Sequence, residues 1–340
     1  MVAVSGEAVF ERIEQTHKLI AELEPILQSL VMNDSTIIDG LAQMLATLQH
    51  MQNRTEEQIT GLSQDVGQLT AALTRLGAAP RPHSTGTGDL DRKDPEISLL
   101  VHLLPFMPNP IALDVGANIG SVARPLIEAG YEVFAFEPFP QSFAALTREA
   151  EQLGSRLHTF PCAIGAEDGT ADLFVAADTS GAAKWDTSLF HSTVRHPMLR
   201  DLDFSSTVQV PVRSLASLMR AQEIPAEAAV LKIDTEGADL EVIRGAGQSS
   251  FAVVVTEFWD RQHPFGRDGH GDITEITREL RTRGYAWQLA LYRVDETEEL
   301  GFTCNTRTSV TKSWGNCVHF RDFELFKRAV AWCDRVFAAG

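Results

Sequence analysis

The chain has 340 residues, a formal charge of -17 and an isoelectric point near 5.0, with 44% hydrophobic and 22% charged residues. Its length suggests a catalytic-size domain plus an additional segment, and its apolar content is enough to bury a core. An acidic surface repels phosphate backbones and anionic membranes. The densest basic group, Arg278, Arg281 and Arg283, is interleaved with Glu275 and Glu279 as on a solvated helix face, so nucleic acid is not an expected partner.

Cys162, Cys304, Cys317 and Cys333 have neither metal-ligand spacing nor the density of a secreted scaffold, so reduced thiols in a cytoplasmic protein are expected. No basic region precedes an apolar core at the N-terminus, and no run of about 18 apolar residues suggests a membrane span.

In chain order, Ile13, Ile20, Leu23, Leu27 and Leu30 form a helical stripe, broken by Pro25 and the turn signal Asn33-Asp34-Ser35. From Ile38 a seam steps by three and four through Leu41, Leu45, Leu48, Gln52, Thr55, Ile59, Leu62, Val66, Leu69, Leu73 and Leu76. A 3.5-residue period keeps one stripe facing a partner helix, so residues 38–76 predict a coiled coil and a homo-oligomer. The alternative is an arm that folds back on its own domain. Residues 77–95 are rich in Gly, Pro, Ser, Thr and charge and form a linker. The organisation is thus a helical arm over 1–76, a linker over 77–95 and a catalytic domain over 96–340.

Within that domain short β-rich runs alternate with helical ones. Strands are predicted at Ile111–Val115, Val133–Glu137, Leu157–Cys162, Val230–Asp234 and Val253–Glu257, and helices at Ser121–Ala129, Gln141–Leu153 and Ala238–Ala246. The fold class is α/β: a parallel sheet covered on both faces, with ligands outside the carboxyl ends of its strands.

The first strand runs into Asp114-Val115-Gly116-Ala117-Asn118-Ile119-Gly120, where glycines let the backbone approach a nucleotide-like ligand. Glu137 ends the second strand, placed to accept both hydroxyls of a ribose. The dinucleotide fingerprint needs Gly-x-Gly-x-x-Gly for a pyrophosphate, and here Asn118 and Ser121 replace its second and third glycines. A ligand without phosphates, whose amino acid end finds Asp114 and Asn118, suits the motif better. At the fourth strand, Lys232, Asp234 and Glu236 fall within five residues, where bare charge would be costly unless the site used it.

The chain resembles the FkbM-type methyltransferases. The resemblance is carried by LDVGANIG at Leu113–Gly120, FAFEPFP at Phe134–Pro140, AIGAEDGTADLFV at Ala163–Val175, VPVRSLASL at Val210–Leu218 and LKIDTEGADLEVIRGA at Leu231–Ala246. It implies a Rossmann-like class I methyltransferase sheet and S-adenosylmethionine as cofactor, with methyl transfer to a hydroxyl of a sugar or polyketide-like metabolite. It places Asp114, Gly116, Asn118 and Gly120 at the methionine end of the cofactor, Glu137 on the ribose, and Pro161, Cys162 and Ala163 beside the adenine. It turns the segment Asp186-Thr187-Ser188-Leu189 toward the acceptor.

An alcohol needs a base to take its proton. Asp234 is the first candidate, followed by Glu257, Glu236 and then His191; Lys232 either orients Asp234 or a substrate oxygen or simply holds the strand end. A divalent metal on Asp234 with Glu236 or Glu257 is chemically conceivable but required by no spacing, so no metal is predicted. The stretch from Ala176 to Thr207 is expected to be a lid or acceptor loop. Two other classes stay open: a nicotinamide-dependent oxidoreductase, and a non-catalytic assembly protein whose coiled coil organises partners.

Overall fold

A computed structural model describes residues 93–337 apart from 182–185, 196–200, 264–265, 267–272, 295–299 and 307–308. The heptad seam, the stripe upstream of it and most of the linker lie outside the described residues.

The domain opens with helix α1 (Pro95–Leu103), whose early proline has its φ already set for a helix. Strand β1 (Ile111–Val115), helix α2 (Ala123–Ala129), strand β2 (Glu132–Phe136), helix α3 (Pro140–Leu153) and strand β3 (Leu157–Phe160) follow. Next come β4 (Ala163–Ile164), β5 (Gly169–Asp178), β6 (Leu202–Arg213) and α4 (Leu215–Arg220). The chain returns through β7 (Val230–Ile233), α5 (Asp239–Gly245), β8 (Val253–Trp259) and α6 (Ile273–Thr282). It ends with β9 (Trp287–Val294), β10 (Leu300–Cys304), β11 (Ser313–Phe320) and α7 (Phe323–Phe337).

Eight strands form the main sheet in the order β10-β9-β11-β8-β7-β1-β2-β3. Its β8-β7-β1-β2-β3 part is parallel, and β11, β9 and β10 extend it antiparallel beyond β8. A smaller sheet, β4-β6-β5, stands apart. The stretch expected to be a lid is therefore partly sheet: β5 runs on to Asp178 and β6 starts at Leu202, joined by a ladder that shifts register after Val175.

Both faces of the main sheet are buried, which is why β1, β2, β7 and β8 are largely apolar. Ala112, Val133, Ala135, Val230, Val253 and Val255 face one core with α1, α2, α3 and α7, and Leu113, Val115, Phe134, Leu231, Ile233 and Val254 face the other with α4, α5 and α6. Asp114 and Lys232 interrupt the first set, side by side in register and in line with Val255.

Candidate active site

The chain leaves β1 toward β2 and β3 on one side, whereas β7 leads to β8 on the other. Open α/β sheets bind ligands at such a divergence, outside the strand ends. Here the ends of β1 and β7 come so close that only glycine fits between them. Gly116 has a φ of 82°, and a Cβ on it would lie 1.8 Å from the carbonyl oxygen of Asp234. The N–H of Asp234 donates to the carbonyl of Val115 at 2.9 Å, locking the two exits together. The space this glycine frees is filled by the protein's own backbone rather than reserved for a ligand alone.

Asn118 follows with a φ of 49°, a left-handed turn that asparagine tolerates. Its N–H donates to Glu137 Oε2 at 2.9 Å, and the N–H of Phe139 donates to Glu137 Oε1 at 2.7 Å. The carboxyl of Glu137 is thereby held rigidly at the tip of β2. Burial pushes its pKa up to about 7 against the lowering pull of the two N–H groups. Each of its oxygens accepts one of these bonds and keeps a second lone pair. The Nδ2 of Asn118 reaches Ser188 Oγ at 3.3 Å, while its buried Oδ1 has no hydrogen-bond partner.

Ser188 belongs to a 3-10 turn over Thr187–Phe190 that Asp186 caps, accepting from the N–H of Ser188 at 3.2 Å and its Oγ at 2.7 Å. A few residues on, Ser192 Oγ lies 2.8 Å from the carbonyl of Glu236 and 3.2 Å from that of Thr235. One short segment is thus pinned to the exits of both β1 and β7. Between these anchors stands His191, with Nδ1 accepting from the N–H of Ala176 at 3.1 Å and its ring edge-on to Phe139 at 4.2 Å.

Past β7, Lys232 is only 2% exposed and its Nζ lies 2.9 Å from Asp234 Oδ2, whose side chain is 35% exposed. Burial works against the ammonium, but Asp234, Asp114 and Glu96 more than offset it and raise the lysine above its usual range. Burial is also the main cause that lifts Asp114 to about 6 and Glu96 to about 7. Neither oxygen of Asp114 has a hydrogen-bond partner. Glu236 sits at φ 56°, a strained conformation for a residue with a side chain, secured by Ser192. Asp239, at the start of α5, accepts from Thr235 Oγ1 at 2.6 Å and from the N–H of Glu257 at 3.0 Å, tying this turn to β8.

One carboxylate oxygen from each of Asp234, Glu236 and Glu257 lies within 4.8 Å of the others. Burial first, and then the mutual repulsion of these groups, raises Glu236 and Glu257 well above the usual carboxylate range. Opposite Glu257 in the ladder is Asn316, whose Oδ1 is buried without a partner.

Gly116, Asn118, Glu137, Cys162 and Ala163 line a single cavity, and Lys232, Asp234, Glu236 and His191 line it as well. Six residues named from sequence, Asp186 and Thr187 of the acceptor segment among them, fall outside that lining. Asp114 lies beneath it beside Lys232, Gly120 packs against Leu146 and Glu149 of α3, Glu257 stands behind Glu236, and Pro161 is exposed. Burial pushes the thiol of Cys162 up to about 11, so it stays protonated in the wall. Sequence reasoning missed Ser192, Asp239, Glu96 and Asn316. Asp239 stood within a quoted motif, but nothing near Glu96 in sequence announces that α1 carries it to the β7 end.

A mostly parallel α/β sheet thus carries a rigidly held carboxylate at the tip of β2 and buried charge at the tip of β7. The family described as "Methyltransferase FkbM domain" matches residues 114–286, which include both of these strand ends, and the chain belongs to this methyltransferase family. "Methyltransferase 1" of Beauveria bassiana (strain ARSEF 2860) is 26% identical over 194 residues, covering 54% of this chain and 74% of that protein. "2-O-methyltransferase NoeI" of Sinorhizobium fredii (strain NBRC 101917 / NGR234) is 28% identical over 184 residues, covering 50% and 73%. The crystal structure of precorrin-6y C5,15-methyltransferase from Geobacter metallireducens GS-15 superposes with a TM-score of 0.37 at 11% identity, over 72% of this chain and 95% of that one.

Proposed function

We propose that this chain is an S-adenosylmethionine-dependent O-methyltransferase whose acceptor is a hydroxyl group, most fittingly that of a sugar in a glycan or glycosylated metabolite. The observation that carries this reading is the pairing, across one cavity, of the doubly held Glu137 with the Lys232-Asp234 ion pair.

The residues fit such a cofactor. Each Glu137 oxygen retains a lone pair for one ribose hydroxyl. The unpartnered Oδ1 of Asn118 suits a donor at the methionine end. Cys162 and Ala163 provide apolar wall for the adenine. Asn118 and Ser121 stand where a pyrophosphate turn needs its second and third glycines, which disfavours a nicotinamide cofactor. When bound, S-adenosylmethionine supplies a methyl group on a positively charged sulfur.

The task of the chain is then to align an alcohol oxygen and remove its proton. Asp234 is the base: it lines the cavity, is partly exposed, and has Oδ2 fixed by Lys232, which leaves Oδ1 to accept the hydroxyl proton. Lys232 is a positioning residue. Glu236 lines the cavity beside Asp234, and with Glu257 it shares the raised pKa that favours holding a proton. Hydroxyls and carboxylates at the acceptor end, from Ser188, Ser192, Thr193 and Asp234, suit a polyol. The 28% identical relative named as a 2-O-methyltransferase supports the same class.

The test is transfer of radiolabelled methyl from S-adenosylmethionine to a panel of methyl glycosides and oligosaccharides. Asp234→Asn should lower the rate by about 10²- to 10⁴-fold, the usual contribution of a general base, while binding the cofactor with unchanged affinity. A variant that transfers at the wild-type rate would remove Asp234 from this role.

A further inference from the structure

We propose that His191 serves the acceptor end of the cavity as a fixed hydrogen-bond donor, presenting its Nε2–H to an oxygen of the incoming alcohol. The inference rests on the methyltransferase reading and assigns to this histidine the opposite of the base role that its residue type suggests.

A neutral imidazole has one donor nitrogen and one acceptor nitrogen. The acceptor is already taken, because Nδ1 receives the backbone N–H of Ala176 at 3.1 Å. The proton of the neutral ring must therefore be on Nε2, and no lone pair is left to remove a proton from a substrate. Burial also holds the ring below the usual histidine pKa, with Asp186 pulling weakly the other way.

Three contacts fix where that donor stands. Phe139 packs edge-on at 4.2 Å with an interplanar angle of 70°. Ser192, the next residue, is tied to the carbonyls of Thr235 and Glu236, and Ser188, three residues earlier, is tied to Asn118. The imidazole is thus held beside the turn that carries Asp234 and Glu236, and it lines the same cavity. A hydroxyl has one proton to give and lone pairs with which to accept, so Asp234 as acceptor and His191 as donor make complementary demands on the incoming alcohol. The alcohol gives its proton to Asp234, and one of its oxygens accepts from Nε2–H.

The first test needs no acceptor. Long-range proton-nitrogen correlation on the ¹⁵N-labelled full chain with S-adenosylhomocysteine, at pH 7, should show His191 neutral with its proton on Nε2. A proton on Nδ1, or an imidazolium, overturns the proposal. The second test uses the methyl glycoside on which the wild-type protein is active. His191→Ala should raise its KM by about tenfold, the worth of one hydrogen bond, with cofactor affinity within twofold of wild type. His191→Gln, which keeps an N–H donor, should recover most of that loss. An unchanged KM in His191→Ala overturns the donor role. Absence of S-adenosylmethionine binding in the wild type would instead sink the transferase reading, independently of the tautomer.

Discussion

The two faces of the main sheet use the same strands differently. On the face covered by α4, α5 and α6, residues from β1, β7 and β8 (Leu113, Val115, Leu231, Ile233 and Val254) make an unbroken apolar layer. On the opposite face, one residue along in each strand, Asp114 and Lys232 sit inside the core, with Glu96 brought in by α1. A charge with no water around it survives only if it is paired. Here one ammonium serves several carboxylates, of which only Asp234 is at ion-pair distance. The comparison shows that one face holds the sheet together, whereas the other spends stability on keeping charge at the strand ends.

The largest effect should come from removing that ammonium. Lys232→Met leaves Asp114, Glu96 and Asp234 without their cation, and breaking a buried pair in this way costs about 3–5 kcal/mol. Denaturant unfolding at pH 8 measures it, and adding Asp114→Leu should restore part of the loss by removing one of the stranded charges. A Lys232→Met variant as stable as wild type would mean that the two faces do not differ energetically.

How much of this was legible in the sequence follows from the same contrast. The parallel strands showed because burial on both faces makes them continuous apolar runs, and the observed β1, β2, β7 and β8 lie within one or two residues of the predicted limits at nearly every end. The antiparallel extension β9-β11 and the small sheet did not show. β6 alternates buried with exposed residues and carries polar Ser205, Ser206 and Thr207 midway, so it resembled loop. Lys232 and Asp234 were visible because they are two residues apart at a strand exit. Glu96 was not, because only tertiary packing of α1 joins it to them, and the donor role of His191 depends on a backbone N–H from β5 that no motif records.

A smaller effect sharpens the comparison through pH. In the folded chain Glu96 titrates at about 7 rather than 4.5, so its charged form is disfavoured on folding. The resulting penalty is absent below about pH 4.5, grows as pH rises toward 7 and is constant above it. Glu96→Gln should therefore be more stable than wild type at pH 8, by up to about 3 kcal/mol for a shift of this size, with the gap closing as pH falls to about 4.5. Equal melting temperatures at pH 8 would show that Glu96 pays no such penalty.

The smallest expected effect concerns Asp234, Glu236 and Glu257. In this account the charge of the trio is balanced by Lys232 and by protons on the raised glutamates, so a chelator should change methyl transfer by less than about twofold, in contrast to sites where a divalent ion clamps the acceptor. A tenfold loss with EDTA, reversed by magnesium, would assign the trio to a cation instead.

The central claim, that the cavity between β1 and β7 holds S-adenosylmethionine through Glu137, is tested most directly by calorimetry with S-adenosylmethionine and with NAD on the wild type and on Glu137→Ala. Micromolar binding of S-adenosylmethionine alone, lost in the variant, is the expected result. Binding of NAD, or S-adenosylmethionine affinity indifferent to Glu137, would contradict it.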